Sequence, residues 1–108
     1  MENYFNKSEV IKLNESIQYN NGAIVSKIIS KNTAGNITLF AFDKGQSLSE
    51  HTAPFDAFVY ILDGKAEIRI NSQPFFCNAG QMIIMPANVS HSVFAIEQFK
   101  MLLIMLKA

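Results

Sequence analysis

The stretch EHTAPFDAFVYILDG (residues 50–64) places a histidine and a proline ahead of an apolar run, 57–62, that ends at Asp63-Gly64. An apolar run of this length between turn residues is typical of a β-strand covered on both faces. The residues that follow, KAEIRI, alternate apolar and charged side chains, which predicts a strand with one solvent-facing side. Asp-Gly is a dipeptide that favours a type I′ turn. The stretch therefore predicts a β-hairpin over residues 57–70 with a histidine ahead of it.

The rest of the chain repeats this pattern of short apolar runs. Gly, Asn, Asp and Pro interrupt the runs about every 8–12 residues, which is typical of an all-β sandwich or barrel. The other predicted strands are 23–31, 37–43, 74–77, 81–85, 91–96 and 99–107. The first two of these should pair, because the connection between them contains Gly and Asn.

The N-terminal part of the chain is the exception to the β pattern. Val10, Leu13 and Ile17 have the spacing of one helical face, although Asn14 and Ser16 weaken a helix. We therefore expect residues 1–22 to form an extension with a short helix, a loop or an edge strand. Residues 23–108 should form the barrel.

Length and composition predict one globular domain that associates with itself. A chain of 108 residues can bury one core but is too short for two domains. Hydrophobic residues make up 49% of the chain and charged residues 17%, which leaves apolar surface for a second subunit. The last run, 99–107, is apolar at nearly every position, so both of its faces should be covered. We expect a homodimer.

The charge pattern excludes several classes of function. Nine basic and nine acidic residues cancel, and no cluster of Lys or Arg supplies the charge that nucleic-acid binding needs. No apolar stretch approaches the length of a membrane span, and the N-terminus does not resemble a secretion signal. A single cysteine, Cys77, cannot form an internal disulfide and fits a reducing compartment. The sequence predicts a soluble cytoplasmic protein without a nucleic-acid or membrane partner.

Six residues stand at spacings that are specific for one fold family. They are Gly45, His51, Gly64, Gly80, Pro86 and His91. In number and spacing they resemble the two sequence motifs of the cupins, and the match covers residues 45–95. The resemblance implies an antiparallel jelly-roll β-barrel, frequently dimeric. It also implies a pocket inside the barrel in which three histidines and a glutamate hold a metal ion.

Only half of the family's metal ligands are present in this chain. His51 matches the first histidine and His91 the histidine of the second motif, but Ala53 replaces the second histidine of the pair and Ala57 replaces the glutamate. Asp56 is adjacent to the glutamate position, but strand alternation should turn it away from the pocket. Two imidazoles alone hold a divalent transition metal weakly, because catalytic sites generally use three protein ligands. A further ligand would come from Glu50, Gln46, Cys77 or a chelating substrate, and the spacing selects none of them.

Three functions remain open on this sequence. The leading hypothesis is a barrel that binds a small organic molecule, with His51 and His91 at its pocket donating or accepting hydrogen bonds near neutral pH. Glu50 is positioned in sequence to orient the imidazole of His51 or to act with it as an acid or base. Ala53, Ala57 and Val59 would line a small apolar pocket. The alternatives are a metal-dependent enzyme of the isomerase or dioxygenase type with a non-standard ligand set, and a structural or interaction protein whose barrel is filled by side chains.

Overall fold

The described part of the chain forms seven antiparallel strands, preceded by one turn of 3-10 helix at Leu13–Glu15. The computed structural model describes residues 5–107, so residues 1–4 of the expected extension and residue 108 of the expected barrel lie outside it. The strands are β1 (Ile24–Asn32), β2 (Gly35–Phe42), β3 (Ser47–His51), β4 (Ala57–Ile70), β5 (Gln73–Asn78), β6 (Met82–Met85) and β7 (His91–Leu106). They form one sheet in the order β1-β2-β7-β4-β5, with β3 on β7 and β6 on β4. The predicted all-β antiparallel jelly-roll barrel is confirmed.

The two longest strands, β4 and β7, connect the two halves of the barrel. The first half of β4 pairs with β6 and with the end of β7, whereas its second half pairs with β5 and with the start of β7. β7 in turn pairs with β3 near its start and with β2 near its end. Each long strand therefore belongs to both halves and turns the sheet into a closed shape.

The predicted hairpin turn at Asp63-Gly64 is wrong. Both residues lie inside β4, where the register against β7 shifts on either side of them. Gly64 has φ 79°, and a Cβ at this position would lie 1.8 Å from the carbonyl oxygen of Gln98. Because Gly64 has no Cβ, β4 and β7 can approach closely where the ladder between them is irregular. The glycine is therefore needed for this contact between strands and not for a turn.

The chain reverses direction at Asn71-Ser72, seven residues after Gly64. These two residues have φ 52° and 67° and join Ile70 to its partner Gln73, as a type I′ hairpin turn requires.

The predicted strands 91–96 and 99–107 also differ from the structure, because they are two parts of β7. The predicted pairing of β1 with β2 is present, and it ends at Asn32 opposite Gly35.

The barrel interior is filled by apolar side chains from the strands. Its fully buried members are Phe42, Ala57, Val59, Ile61, Ala66, Ile68, Ala95, Phe99 and Met101. They alternate with outward residues, as for Val59 and Ile61 on either side of the exposed Tyr60. The largest pair in the core is Phe42 and Phe99, whose stacked rings have centroids 4.5 Å apart.

The N-terminal segment packs against the outer face of the sheet. Ile17 is buried against Leu39 and Ala41, which point out of the barrel. Of the short helix, loop or edge strand left open for the segment with Val10, Leu13 and Ile17, the structure has a loop with a single 3-10 turn at Leu13–Glu15. Within residues 5–107, no helix has the length and apolar character needed to cross a membrane.

Candidate functional site: the histidine pair

The two histidines lie side by side because they stand opposite one another in the sheet. His51 ends β3, His91 begins β7, and the two residues are register partners in the ladder between these strands. On the other side of β7, His91 faces Ile70 of β4. Directly opposite residues on neighbouring strands project to the same face, so the imidazoles meet although they are forty positions apart in the chain.

The turn at Asn88, in the second sequence motif, is hydrogen-bonded to residues of the first motif. Asn88 adopts φ 63°, the left-handed conformation that favours glycine, and it stands where the family motif has a glycine. Its backbone N–H donates to the carbonyl of Ala53 at 2.7 Å. The N–H of Ala87 donates to a carboxylate oxygen of Asp56 at 2.8 Å. Asp56 therefore fastens this turn.

Backbone carbonyls determine which ring nitrogens carry hydrogens. Nδ1 of His51 lies 2.7 Å from the carbonyl oxygen of Ser49, and Nδ1 of His91 lies 3.2 Å from that of Val89. A carbonyl oxygen can only accept, so we assign a hydrogen to each Nδ1. In the neutral rings, both Nε2 atoms are then unprotonated acceptors.

The Nε2 atoms of the two rings are 3.1 Å apart, with the rings inclined at 72°. Two unprotonated nitrogens at this distance repel one another, whereas a single hydrogen between them makes a hydrogen bond. The pair is therefore suited to share one proton, or to receive a hydrogen-bond donor or a cation from outside.

The two imidazoles have different environments. His91 is 4% exposed, whereas His51 is exposed at the end of its strand. Burial and the charge of His51 lower the pKa of His91, and the carbonyl of Val89 opposes this shift. Protonation of the buried His91 ring is therefore disfavoured.

The other predicted ligand-binding residues take different places. Ala57 and Val59 are fully buried in the barrel core. Ala53 is half-buried in the segment between β3 and β4. Glu50 is exposed, and its carboxylate accepts a hydrogen bond from the hydroxyl of Ser90 at 3.2 Å. The structure joins the carboxylate to neither imidazole, so His51 is oriented by the Ser49 carbonyl instead.

The donor set of the family's metal site is incomplete here. Two Nε2 atoms 3.1 Å apart are close enough to bind one ion at the usual metal–nitrogen distance of about 2.1 Å. Within residues 5–107, however, no group of three or more His, Cys, Asp or Glu side chains is arranged to hold a metal. Cys77 is buried in the core, and burial raises the pKa of its thiol. The described side chains thus supply two ligands and do not form a complete resident site.

Sequence reasoning did not identify the groups that orient the imidazoles. The carbonyls of Ser49 and Val89 belong to the backbone, so no residue type marks them. The left-handed conformation of Asn88 could have been predicted from its residue type, because asparagine tolerates this conformation better than other residues with a Cβ.

Comparison with known proteins agrees with the architecture and the motif positions. The family model described as "Cupin domain" matches residues 38–106. A solved conserved protein of unknown function from Streptococcus pyogenes is 35% identical, with a TM-score of 0.94 over 98% of this chain and 93% of that one. A cupin 2 conserved barrel domain protein from Leptotrichia buccalis is 40% identical, with a TM-score of 0.87 over 90% of this chain. This chain covers 47% of that protein.

One curated protein is also similar. The polyketide synthase protein CurC of Streptomyces cyaneus is 30% identical over 60 residues, which are 55% of this chain and 39% of CurC. The chain thus spans about two fifths of that relative's length. Because the family model covers more than half of the sequence and the barrel contains both motifs, this chain belongs to the cupin family.

Proposed function

We propose that this cupin binds a small organic molecule at the end of its barrel through the Nε2 atoms of His51 and His91. The observation that carries the proposal is the approach of these two nitrogens to 3.1 Å with both Nδ1 atoms held by carbonyls. When both rings are neutral the pair presents two lone pairs, and when it has taken up one proton it presents that proton at the same place. It can therefore accept a hydrogen bond from a ligand hydroxyl or donate one to a ligand oxygen.

The packing of the barrel limits the size of the ligand. Below the pair, the interior is occupied by side chains such as Val59, Ile68 and Val93, so a ligand would lie at the rim. At the rim it would contact the exposed ring of His51 and the segment around Ala53. The similarity to a polyketide synthase protein supports an organic ligand with oxygen atoms.

The chemistry available at this site is proton transfer without a metal. A histidine pair can polarise a carbonyl when it carries one extra proton, and it can remove a proton near neutral pH when both rings are neutral. The exposed His51 is the ring that would contact the ligand first, with the buried His91 directly beside it.

The test is a ligand-observed NMR screen with two probes, benzoate and phenol, which offer an acceptor and a donor oxygen. We expect weak binding to the wild type with shifts of the imidazole resonances. His51→Ala and His91→Ala should each lower the affinity by about tenfold or more, a loss of about 1.4 kcal/mol. Glu50→Gln is the control, since Glu50 lies at the same strand end but bonds to Ser90. Unchanged binding in both histidine variants would contradict the proposal.

A metal-dependent enzyme is the second candidate function. It is favoured by the bonds from both Nδ1 atoms to carbonyls, because metal-binding histidines commonly donate their other nitrogen in this way. A chelating substrate would have to complete the coordination. Equilibrium dialysis with Zn²⁺ and Ni²⁺ tests this: one equivalent bound by the wild type and by Cys77→Ser, but lost in both histidine variants, supports it. A wild type that retains neither ion, with or without oxalate as a chelating oxygen ligand in the dialysis buffer, contradicts it.

A further inference from the structure

A groove with a volume of about 400 Å³ lies on the outward side of the sheet, where β3, β7 and β4 are neighbours. The residues that define this outer groove are Ser47, Ser49, Arg69, Ser72, Ser92 and Phe94. Successive residues of a strand face opposite sides, so Ser92 and Phe94 point outward whereas His91 and Val93 are buried. The outer groove therefore lies on the other side of β7 from the ring of His91.

Arg69 is the polar centre of the outer groove. Its Nε–H donates to a carboxylate oxygen of Glu67 at 2.6 Å, and this bond fixes the guanidinium. The side chain nevertheless remains 56% exposed. Within residues 5–107, neither terminal NH₂ group of this guanidinium has a hydrogen-bond partner. Arg69 is thus a planar donor in a defined orientation whose terminal N–H bonds are unused within the protein.

Serine hydroxyls surround this guanidinium. Ser92 stands directly opposite Arg69 in the ladder, and Ser72 lies in the hairpin turn that follows β4. Within the part of the chain that the structure describes, the serine hydroxyls that form hydrogen bonds are those of Ser16 and Ser90, and neither belongs to the outer groove. Each hydroxyl can donate and accept. The outer groove therefore contains donors and acceptors that the protein itself leaves unused.

Phe94 adds an aromatic surface beside these polar groups. Its ring is 43% exposed, and it has Glu67 of β4 opposite it on one side and Ser47 of β3 on the other. The face of an aromatic ring carries partial negative charge, so it attracts the weakly positive hydrogens of polarised C–H groups. A ligand at Phe94 can therefore pack an apolar face on the ring and still reach the hydroxyls of the neighbouring serines.

The charges around the outer groove favour a neutral ligand. Glu67 already neutralises Arg69, and the carboxylate of Glu50 also lines the groove. An anion would meet two carboxylates for one guanidinium, and a cation would lie against the guanidinium itself. A neutral polyol can instead donate to the carboxylates, accept from Arg69 and exchange hydrogen bonds with the serines. A sugar ring has both properties, because hydroxyl groups form its edge and C–H groups form its faces.

We propose that the outer groove binds a neutral saccharide, with a face of the sugar ring stacked on Phe94 and neighbouring hydroxyls bonded to Arg69 and Ser92. The volume of the groove falls in the range of about 300–1,000 Å³ that is usual for small-molecule sites. The histidine pair is not part of this site, so the proposal is independent of the proposed function.

The experiment is a titration of isotope-labelled protein with methyl glucoside and with its galactose and mannose counterparts, followed by two-dimensional NMR. We expect at least one of these sugars to bind with a Kd of about 10 mM or tighter and to shift the amide signals of β3 and of residues 92–94. Phe94→Ala and Arg69→Met should each weaken this binding at least about fivefold. Binding of none of the three sugars in this range overturns the proposal.

Two matched variants test whether the outer groove itself is responsible. Phe76 stands opposite Glu67 on the side away from Phe94 and is 57% exposed, and Lys65 lies over its ring at 5.7 Å. Neither Phe76 nor Lys65 lines the groove. Phe76→Ala and Lys65→Met should therefore leave the affinity for the sugar unchanged. Far-UV circular dichroism and thermal unfolding check that every variant is folded. Equal losses in the control and groove variants overturn the proposal.

A charged sugar and a histidine variant test the ligand class and the place of binding. Methyl glucuronide, in which a carboxylate replaces the hydroxymethyl group, should bind at least about threefold more weakly than methyl glucoside because of Glu50 and Glu67. Tighter binding of the glucuronide contradicts a neutral ligand. His51→Ala should leave sugar binding unchanged. Binding that is lost in His51→Ala but kept in the Phe94 and Arg69 variants would place the sugar at the histidine pair and overturn the proposal.

Discussion

The histidine pair depends on a few local bonds that give each ring a defined tautomer. Carbonyls of Ser49 and Val89 hold the two Nδ1 atoms, so the two Nε2 atoms face one another. This arrangement disfavours the protonated form of His91, because its ring is nearly buried and lies next to a second imidazole. Its pKa is lowered for these two reasons.

The lowered pKa of His91 makes stability depend on pH. In the unfolded chain a histidine has a pKa of about 6.5, which is above the pKa of His91 in the folded protein. Above the unfolded pKa both states are neutral and the full stability is present. As pH falls, the unfolded state takes up the proton first, so stability is lost until the folded pKa is passed.

We therefore expect the free energy of unfolding, measured with urea on chelator-treated protein, to fall between about pH 7.5 and pH 5.5 more steeply for the wild type than for His91→Gln. The variant removes the titrating group but leaves His51, which faces His91, in place. Curves of equal slope for the two proteins would show that His91 is not responsible for the pH dependence.

Asn88 is the other residue whose conformation decides local geometry. A side chain with a Cβ at φ 63° is strained, and asparagine tolerates this better than alanine. Asn88→Ala should lower the free energy of unfolding by about 1 kcal/mol, and Asn88→Gly should leave it equal or higher. Asn14→Ala, in the 3-10 turn, is the control for loss of an exposed asparagine. If Asn88→Ala is as stable as the wild type, left-handed strain at this turn is not significant.

At the scale of elements, the irregularity in β4 decides how the barrel closes. At Asp63 and Gly64 the ladder with β7 changes register, and the backbone of Gln98 approaches the Cα of Gly64 closely. Here β4 passes from the first half of the barrel to the second. A β-bulge bends a strand and increases its twist, which permits this passage.

Gly64→Ala should therefore be far more destabilising than other glycine substitutions. A Cβ at Gly64 would lie 1.8 Å from the Gln98 carbonyl oxygen, whereas one at Gly45 or Gly80 would meet nothing within 4 Å. The three glycines have similar φ values of 79°, 85° and 86°, so conformational strain is matched and only the clash differs.

We expect Gly45→Ala and Gly80→Ala to cost about 1 kcal/mol each, and Gly64→Ala about 3 kcal/mol or more. Chemical denaturation of the three variants measures the difference. Equal losses in all three would mean that the strands separate at Gly64 without penalty.

At the scale of the whole molecule, the N-terminal segment is fastened to the barrel by polar bonds as well as by Ile17. The hydroxyl of Tyr19 donates to the carboxylate of Asp63 at 2.6 Å. Burial, followed by this bond and the charge of Asp63, raises the pKa of Tyr19. The ammonium group of Lys100 lies 5.1 Å from the centre of the Tyr19 ring. Two side chains of the long strands thus hold one tyrosine of the extension.

Tyr19→Phe should loosen this attachment. It leaves the ring and its contact with Lys100 but removes the bond to Asp63, which should cost about 1–2 kcal/mol. Limited proteolysis should then cleave the N-terminal segment faster than in the wild type, because local opening becomes easier. Tyr60→Phe removes a hydroxyl from an exposed ring on the outward side of β4 and serves as the control. Equal cleavage rates for wild type and Tyr19→Phe would contradict this account.

The sequence by itself determined the fold class, most strand positions and the family. Alternation in 65–70 and the apolar runs of the other strands reflect which faces are buried, and burial follows directly from residue type. The spacing of the six motif residues predicted the jelly roll, which the family match confirms. The sequence also showed that Ala53 and Ala57 replace two of the family's metal ligands.

Only the tertiary structure decided whether Asp63-Gly64 forms a turn or lies inside one strand that continues from the first half of the barrel into the second. A glycine permits both, and the choice depends on the backbone of Gln98, which is distant in sequence. The same holds for the imidazoles: their separation, tautomers and unequal burial arise from strand register and from carbonyls that no side chain marks. Long-range backbone contacts determine these features, and the pattern of neighbouring residue types does not contain them.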